Sequence, residues 1–367
     1  MHGQIRATAR GMRGSRSGQG ESELTQGLGR RPDSAIKSAT VDLNIRHLKV
    51  DMGHLHNQAS VLTVTFNNSA SIESYFFGLE AQGAAVGEVI VVDNGSVDDT
   101  VAKLLLAARR CRFPIRIIKS KNEGFSAGMN RAAAARTLAG LPLLSLNPDV
   151  MLSDSVLATM LATLGIATDI GIVTAPLIDE HGDADSASVR SLPELKSAMA
   201  YSIAGRFLPS RLRYNAQPYG FDAPDNSKAF QIGATTGALM LLQPSFRASG
   251  DVFDPSYWMY GEDLQMCRDA QALGMKVLMA QAAPSLHLKG LSSGRPRRLR
   301  SNWAFHEALF IYYRKNLNRN PAFLPLMYGG VLMRFVISAV SSGCVRTSRT
   351  LLRRLGRAQS RFSTSHP

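Results

Sequence analysis

Cysteine is scarce in this chain: Cys111, Cys267 and Cys344 are widely spaced and odd in number. That excludes a disulfide framework and the paired spacing of a zinc site, and it fits a reducing cytosol. No apolar leader core stands near the N-terminus, so secretion is not expected. No Gly-Lys-Ser/Thr follows a glycine-rich loop, which excludes the common triphosphate cradle, and no Gly-x-Gly-x-x-Gly follows the first strand-like run. Acids are nearly absent from residues 295–367, where fourteen Arg and Lys stand against Glu307 alone. That stretch carries almost all of the chain's net charge of +14. Aromatics are not interleaved with those arginines, so an anionic membrane surface fits better than nucleic acid.

What is present is a chain of 367 residues, 45% hydrophobic, enough for one large core or two smaller ones. Residues 1–58 are rich in Arg, Gly, Ser and Gln and read as a disordered extension, with Met52 as an alternative start. A catalytic domain is expected over 59–295 and a basic, helical, membrane-associating segment over 296–367. Apolar β-rich runs at 61–66, 88–92, 115–118 and 141–146 alternate with helical patterns at 72–82, 96–110 and 129–138. This alternation predicts an α/β fold, a parallel sheet with helices on its faces. Further strands are expected at 173–176, 237–242 and 276–279, a helix at 263–273, and loops over a cleft across 179–228. Residues 303–314 read as an amphipathic helix. Residues 323–344 are apolar but interrupted by Arg334 and followed by arginines. A central charge disfavours a full span, so a helix lying in the membrane interface is expected. A core helix pair against the catalytic domain remains the alternative.

Two acidic clusters each follow or interrupt an apolar run. Asn147-Pro148-Asp149 ends the fourth strand, and Glu262-Asp263 lies in Tyr257-Trp258-Met259-Tyr260-Gly261-Glu262-Asp263-Leu264. Open α/β sheets bind ligands at the carboxyl ends of their strands. A carboxylate there can hold a divalent cation against a diphosphate, and a second can take a proton from an incoming hydroxyl. Asp149 is thus the metal candidate, with His287 able to add a nitrogen ligand. Asp263, or failing that Glu262, is the base candidate. Each cluster alone reads equally well as an acidic helix terminus.

Asp93, at the end of the second strand, can accept an imide N–H from a pyrimidine base, with Thr65 and Asn67 flanking the same crevice. A plain Asp-Asn-Gly turn is the alternative. The loop Asn122-Glu123-Gly124-Phe125-Ser126-Ala127-Gly128-Met129-Asn130 converges on that edge and opens a helix N-terminus, which favours anions.

In this order the motifs resemble family 2 glycosyltransferases of the GT-A fold, a Rossmann-like, mostly parallel sheet. Residues 61–67, 91–100, 122–130, 146–150, 236–242, 253–267 and His287 carry the resemblance, within about residues 60–320. The Leu-Asn-Pro-Asp form and the Tyr-Gly-Glu-Asp block are most similar to a bacterial rhamnosyltransferase subgroup. The resemblance implies Asp93 on the nucleotide base and Asp149 as counterpart of the last Asp of an Asp-x-Asp metal motif binding Mn²⁺ or Mg²⁺. It also implies Asp263 as base, His287 near the metal or diphosphate, and Asn122, Gly124, Gly128, Asn130 and Asn147 around the donor. Two positions depart from the pattern: Asn147 replaces the first Asp of the metal motif, and Gln265 stands where relatives often have another Asp.

The activity expected is inverting transfer of a sugar from a nucleotide-diphosphate donor, with dTDP-rhamnose first. The acceptor expected is lipid-linked or polysaccharide, in cell-surface glycan synthesis, with the protein peripheral at the cytoplasmic face of the membrane. A UDP- or GDP-sugar hexosyltransferase and a catalytically inert membrane- or sugar-binding protein are the competing readings. A nucleotidyltransferase is disfavoured because Thr65-Phe66-Asn67-Asn68 lacks a glycine-rich basic loop.

Overall fold

The computed structural model describes residues 40–43, 57–194, 228–247, 250–288, 299–317 and 320–341. The loops expected over 179–228 fall mostly outside the described residues, as does the arginine-rich tail after 341. A nine-stranded sheet forms the centre. Its strands are β1 (Thr40–Leu43), β2 (Ala59–Thr65), β3 (Val86–Asp93), β4 (Ile115–Lys119), β5 (Leu143–Leu146), β7 (Ile170–Thr174), β9 (Phe230–Gln231), β10 (Leu239–Leu242) and β11 (Lys276–Met279). Their order is β1-β4-β3-β2-β5-β10-β7-β11-β9. A second, three-stranded sheet joins β6 (Val150–Met151), β12 (Ser285–His287) and β8 (Leu177–Ile178), with β12 central.

The run β4-β3-β2-β5 is parallel, as the alternating pattern predicts. Its strands are buried on both faces, which explains why they read as continuous apolar runs rather than alternating ones. Helices α1 (Ile72–Glu80), α2 (Thr100–Ala108) and α3 (Phe125–Ala134) supply the crossovers. In α1 the buried residues Ile72, Tyr75, Phe76 and Leu79 follow helical spacing and form its inner face. Together with α4 (Val156–Leu164), α1 and α2 cover one core of the sheet. The other core is closed by α3 and α5 (Glu262–Ala272).

Three differences from the sequence reading have physical causes. Thr40–Leu43, inside the stretch whose composition reads as disordered, pairs antiparallel with β4 and forms the sheet's edge. The β10 strand runs antiparallel to both β5 and β7, so the sheet is mixed beyond β5. Because Leu239 pairs with Leu146, the residues just before β10 lie at the carboxyl end of β5. Helix α3 starts at Phe125, four residues before the expected Met129, because Gly124 turns the chain at φ 99°. It ends at Ala134, and Glu88 then accepts the amides of Thr137 and Leu138 at 2.9 and 3.0 Å.

Helices α6 (Leu299–Tyr312) and α7 (Pro321–Ser341) close the described chain. One side of α7 meets α6 through Trp303–Phe335 and Phe310–Tyr328 edge-to-face ring pairs and a Ser338–Asn302 hydrogen bond. Its other side exposes Phe323, Leu326, Met333, Val336, Ile337 and Val340. Among the described residues it is the one helix long and apolar enough to cross a membrane.

Candidate active site

The carboxyl edge of β3, β2 and β5 brings the expected residues to one side of the sheet. Asp93 ends β3 and is buried, as is Thr65 at the end of β2. Its Oδ1 accepts hydrogen bonds from Thr65 Oγ1 at 2.9 Å and Ser96 Oγ at 2.5 Å, and its Oδ2 accepts from the Ser96 amide at 3.0 Å. The Asp-Asn-Gly segment is therefore a knotted turn and a rigid floor. Asn67 sits at φ 55° and accepts the Val97 amide on Oδ1, tying the ends of β2 and β3 together.

The glycine loop is packed against protein more tightly than its sequence implies. A Cβ on Gly124 would stand 2.3 Å from the Trp258 carbonyl, and one on Gly128 would stand 2.7 Å from Val64. The close approach these glycines permit is thus to Trp258 and to β2. Asn130 uses both amide atoms on the backbone of Phe253, donating and accepting at 2.7 Å. Asn122 Oδ1 accepts the Gly124 amide at 3.2 Å. Asn122, Gly124, Gly128 and Asn130 accordingly build the loop at this sheet edge. Asn94 also anchors it, donating to the Gly124 carbonyl at 2.9 Å.

Asp149 follows β5 where Asn147 bonds through its amide to the Ala238 carbonyl. The Asp149 backbone carbonyl accepts the Leu288 amide, which draws β12 and His287 alongside. His287 Nε2 stands 3.6 Å from Asp149 Oδ1, and that buried oxygen accepts no hydrogen bond. His287 Nδ1 is 2.7 Å from Asp185 Oδ2. Burial disfavours the imidazolium, but the carboxylates of Asp149 and Asp185 outweigh it and push His287 up to about 9. Asp185 was not found from sequence. It lies in an irregular segment, 102 residues from His287, and carries no motif.

These residues fit a divalent cation of limited protein ligation. An unsatisfied carboxylate oxygen faces an imidazole nitrogen, and a further carboxylate orients that imidazole, the usual support for a metal-binding histidine. Among the described residues no cluster of three or more His, Cys, Asp and Glu side chains is placed to hold a metal ion. Two protein ligands suit a cation that keeps water and substrate phosphate oxygens.

The second centre opens α5. Gly261, at φ 80°, turns the chain into the helix, and Glu262 and Asp263 occupy its first turn, where acids complement the helix dipole. Both are buried. Asp263 Oδ1 accepts the Leu264 amide at 2.7 Å, and Oδ2 meets Arg190 Nη2 at 2.6 Å. Glu262 Oε2 has no hydrogen-bond partner. Burial, and then the charge of Asp263, push the Glu262 carboxyl well above the usual range. Gln265, where an acid would match the resemblance, is turned to Tyr257, Asp269 and Asn316 instead.

The two centres are neighbours along one edge. Ser145 in β5 donates to the Gly237 carbonyl at 2.6 Å, and a Cβ on Gly237 would lie 3.6 Å from Asp263 Cβ. Buried polar atoms without a hydrogen-bond partner include Asn94 Oδ1, Ser126 Oγ, Asp149 Oδ1, Thr235 Oγ1, Trp258 Nε1 and Glu262 Oε2. Buried polar groups normally have partners, so these atoms are open to a polar ligand.

The mixed α/β sheet with helices on its faces has the GT-A fold. A family model, Glycosyl transferase family 2, matches residues 60–210, so that stretch is similar to family 2 glycosyltransferases. A curated N-acetylglucosaminyl-diphospho-decaprenol L-rhamnosyltransferase of Mycobacterium tuberculosis is 25% identical over 246 residues, 64% of this chain and 77% of its own length. Among solved structures, GalNAc-T7 with UDP, GalNAc and Mn²⁺ is 14% identical at TM-score 0.50, covering 70% of this chain and 48% of that one. The mannosyltransferase PcManGT from Pyrobaculum calidifontis, with GDP-Man and Mn²⁺, is 12% identical at TM-score 0.46, covering 83% of this chain and 80% of that one.

Proposed function

We propose that this protein is an inverting glycosyltransferase, moving rhamnose from dTDP-rhamnose to a lipid-linked diphosphate sugar at the cytoplasmic face of a membrane. The observation that carries the reading is the pair of unlike buried centres on one sheet edge, Asp149 with His287 and Asp263 with Glu262. An inverting transfer needs one centre for the leaving diphosphate and one for the attacking hydroxyl, on opposite sides of the anomeric carbon. The rhamnose and lipid assignments draw on the curated mycobacterial relative.

In this reading Asp93, Thr65 and Asn67 form the floor of the nucleotide site. Asn147 and the helix N-terminus at Phe125 border the diphosphate, where main-chain N–H groups and the helix dipole favour negative charge. Asp149 and His287 would hold Mn²⁺ or Mg²⁺, which when bound offsets the charge of the departing nucleotide diphosphate. Asp263 takes the proton of the acceptor hydroxyl as that oxygen attacks the anomeric carbon. The C–O bond to the diphosphate breaks as the new glycosidic bond forms, and the electron pair leaves on the phosphate oxygen. Residues 59–295 form the catalytic unit. Residues 296–367 bring it to the membrane, through the exposed apolar side of α7 and the arginines that follow it in sequence.

The test is binding and hydrolysis across dTDP-, UDP- and GDP-sugars, with and without Mn²⁺ or Mg²⁺. Selective, metal-dependent binding of dTDP-rhamnose is expected. A UDP- or GDP-sugar bound in its place overturns the rhamnose assignment, and no binding of any donor favours an inert sugar- or membrane-binding protein.

A further inference from the structure

One segment touches both centres. It begins at Asp185, whose amide bonds to the Leu177 carbonyl at 2.8 Å and whose carboxylate holds His287. It is folded tightly, with the amides of Ala187 and Ser188 donating to Asp185 at 2.7 and 2.9 Å. It ends at Arg190, whose amide and carbonyl pair with Ala234 at 2.9 and 2.7 Å. The strap is thus fastened to the small sheet at one end and to the chain leading into β10 at the other. Arg190 then reaches the carbonyl of Thr235 and Asp263 Oδ2 with the same Nη2. Its side chain is 11% exposed and that of Asp263 13%, so water screens the pair little.

We propose that Arg190 is a positioning residue for the reaction, keeping Asp263 aligned and ionised as the base beside a second buried acid, Glu262. This rests on the assignment of Asp263 as base. Two adjacent buried carboxyls cannot both carry charge without a counter-ion, and one then keeps a proton. The groups facing Asp263 decide which one: Glu262 on the same helix, Cys267 one turn further, and the Arg190 guanidinium from the strap. The Arg190 guanidinium stands 2.6 Å from Asp263 Oδ2, which favours the charge there. The Leu264 amide and the guanidinium together engage both carboxylate oxygens and fix the plane of the group. Each oxygen retains a lone pair for the proton of the acceptor. Lysine would supply the charge without the rigid, planar guanidinium, so it restores the effect only in part.

The experiment compares R190Q and R190K with wild type in the full chain. It uses whichever nucleotide sugar the wild type binds, with water standing in for the acceptor hydroxyl. R190Q is expected to lower kcat 30- to 300-fold with the donor KM within threefold. The acid limb of its kcat profile should move up by about one pH unit or more, since a carboxylate stripped of its cation holds its proton more tightly. R190K should recover about a third of the logarithmic loss. Added guanidinium should restore turnover to R190A and not to D263N. Unchanged kcat in R190Q overturns the proposal. So does a loss of kcat with an unmoved acid limb and no recovery in R190K, which marks a purely structural contact. D263N in the same assay separates the two ideas. Loss there with R190Q unaffected removes the inference alone, whereas turnover in D263N removes the base assignment beneath it.

Discussion

Asp149 faces an imidazole, whereas Asp263 faces a guanidinium, and the two partners respond to different things. The His287 ring, pushed up to about 9 by its carboxylate neighbours, exchanges its proton at alkaline pH and can give up that position to a cation. The Arg190 charge is permanent, and the nitrogen that meets Asp263 is held at the Thr235 carbonyl as well. In the proposed reaction, one centre changes its occupant, and the other keeps a fixed counter-ion while its own carboxylate takes a proton. Both partners are set by one strap, through Asp185 at its start and Arg190 at its end.

The strongest break in this comparison is Asp263→Asn. It removes the proposed base and leaves the volume nearly unchanged. Turnover should fall by roughly 10³-fold or more, within the range that loss of a general base produces. Donor binding by calorimetry should stay within threefold of wild type. Turnover near the wild-type level would end the base assignment.

Asp149→Asn should come next. Metal-stimulated donor binding should drop to the level seen with chelator, and turnover by about 10²-fold. Donor affinity in chelator should not change. An equal loss with and without metal would mean that Asp149 acts on the fold rather than on a cation.

A smaller effect is expected from Asp185→Asn, which leaves both proposed ligands in place and weakens only the group that orients His287. Metal affinity, read by titrating Mn²⁺ against donor binding, should fall about 10-fold, the low end for such supports. The same substitution should leave the response to Arg190 variants unchanged, since the strap is fastened separately at Ala234. A response that changed with it would show the two centres to be coupled through the strap.

How much of this was legible from sequence follows from where each residue sits. Asp93 and Asp149 end apolar runs that can only be buried strands, so their address is written in the pattern before them. Glu262 and Asp263 open a helix after a glycine, another local signal. Asp185 and Arg190 have neither. They lie in a stretch without periodicity, and their partners are 102 and 73 residues away. Only the meeting of β8, β12 and β10 brings them to the edge. The antiparallel course of β10 was equally hidden, because four buried residues look the same in either direction. The glycines at 124 and 128 were visible, but the surface they approach was not: sequence shows that backbone must come close to something, and Trp258 and Val64 are that something.

Gln265 offers the finest cut between chemistry and support. It follows Asp263 by two residues, and an acid there would match the resemblance. Its side chain accepts from Tyr257 Oη at 3.0 Å and from Asn316 Nδ2 at 2.8 Å, and donates to Asp269 at 2.7 Å. None of these partners is Asp263, and the bond from Asn316 ties α5 to the segment after α6. Gln265→Ala should therefore cost about 1–3 kcal/mol of stability through buried groups left unpaired, read as a lower midpoint in thermal or urea unfolding. Its kcat at a temperature well below that midpoint should stay within about threefold of wild type. A loss near that of Asp263→Asn would mean the position takes part in the reaction after all. An unchanged midpoint would mean that water replaces the three bonds without cost.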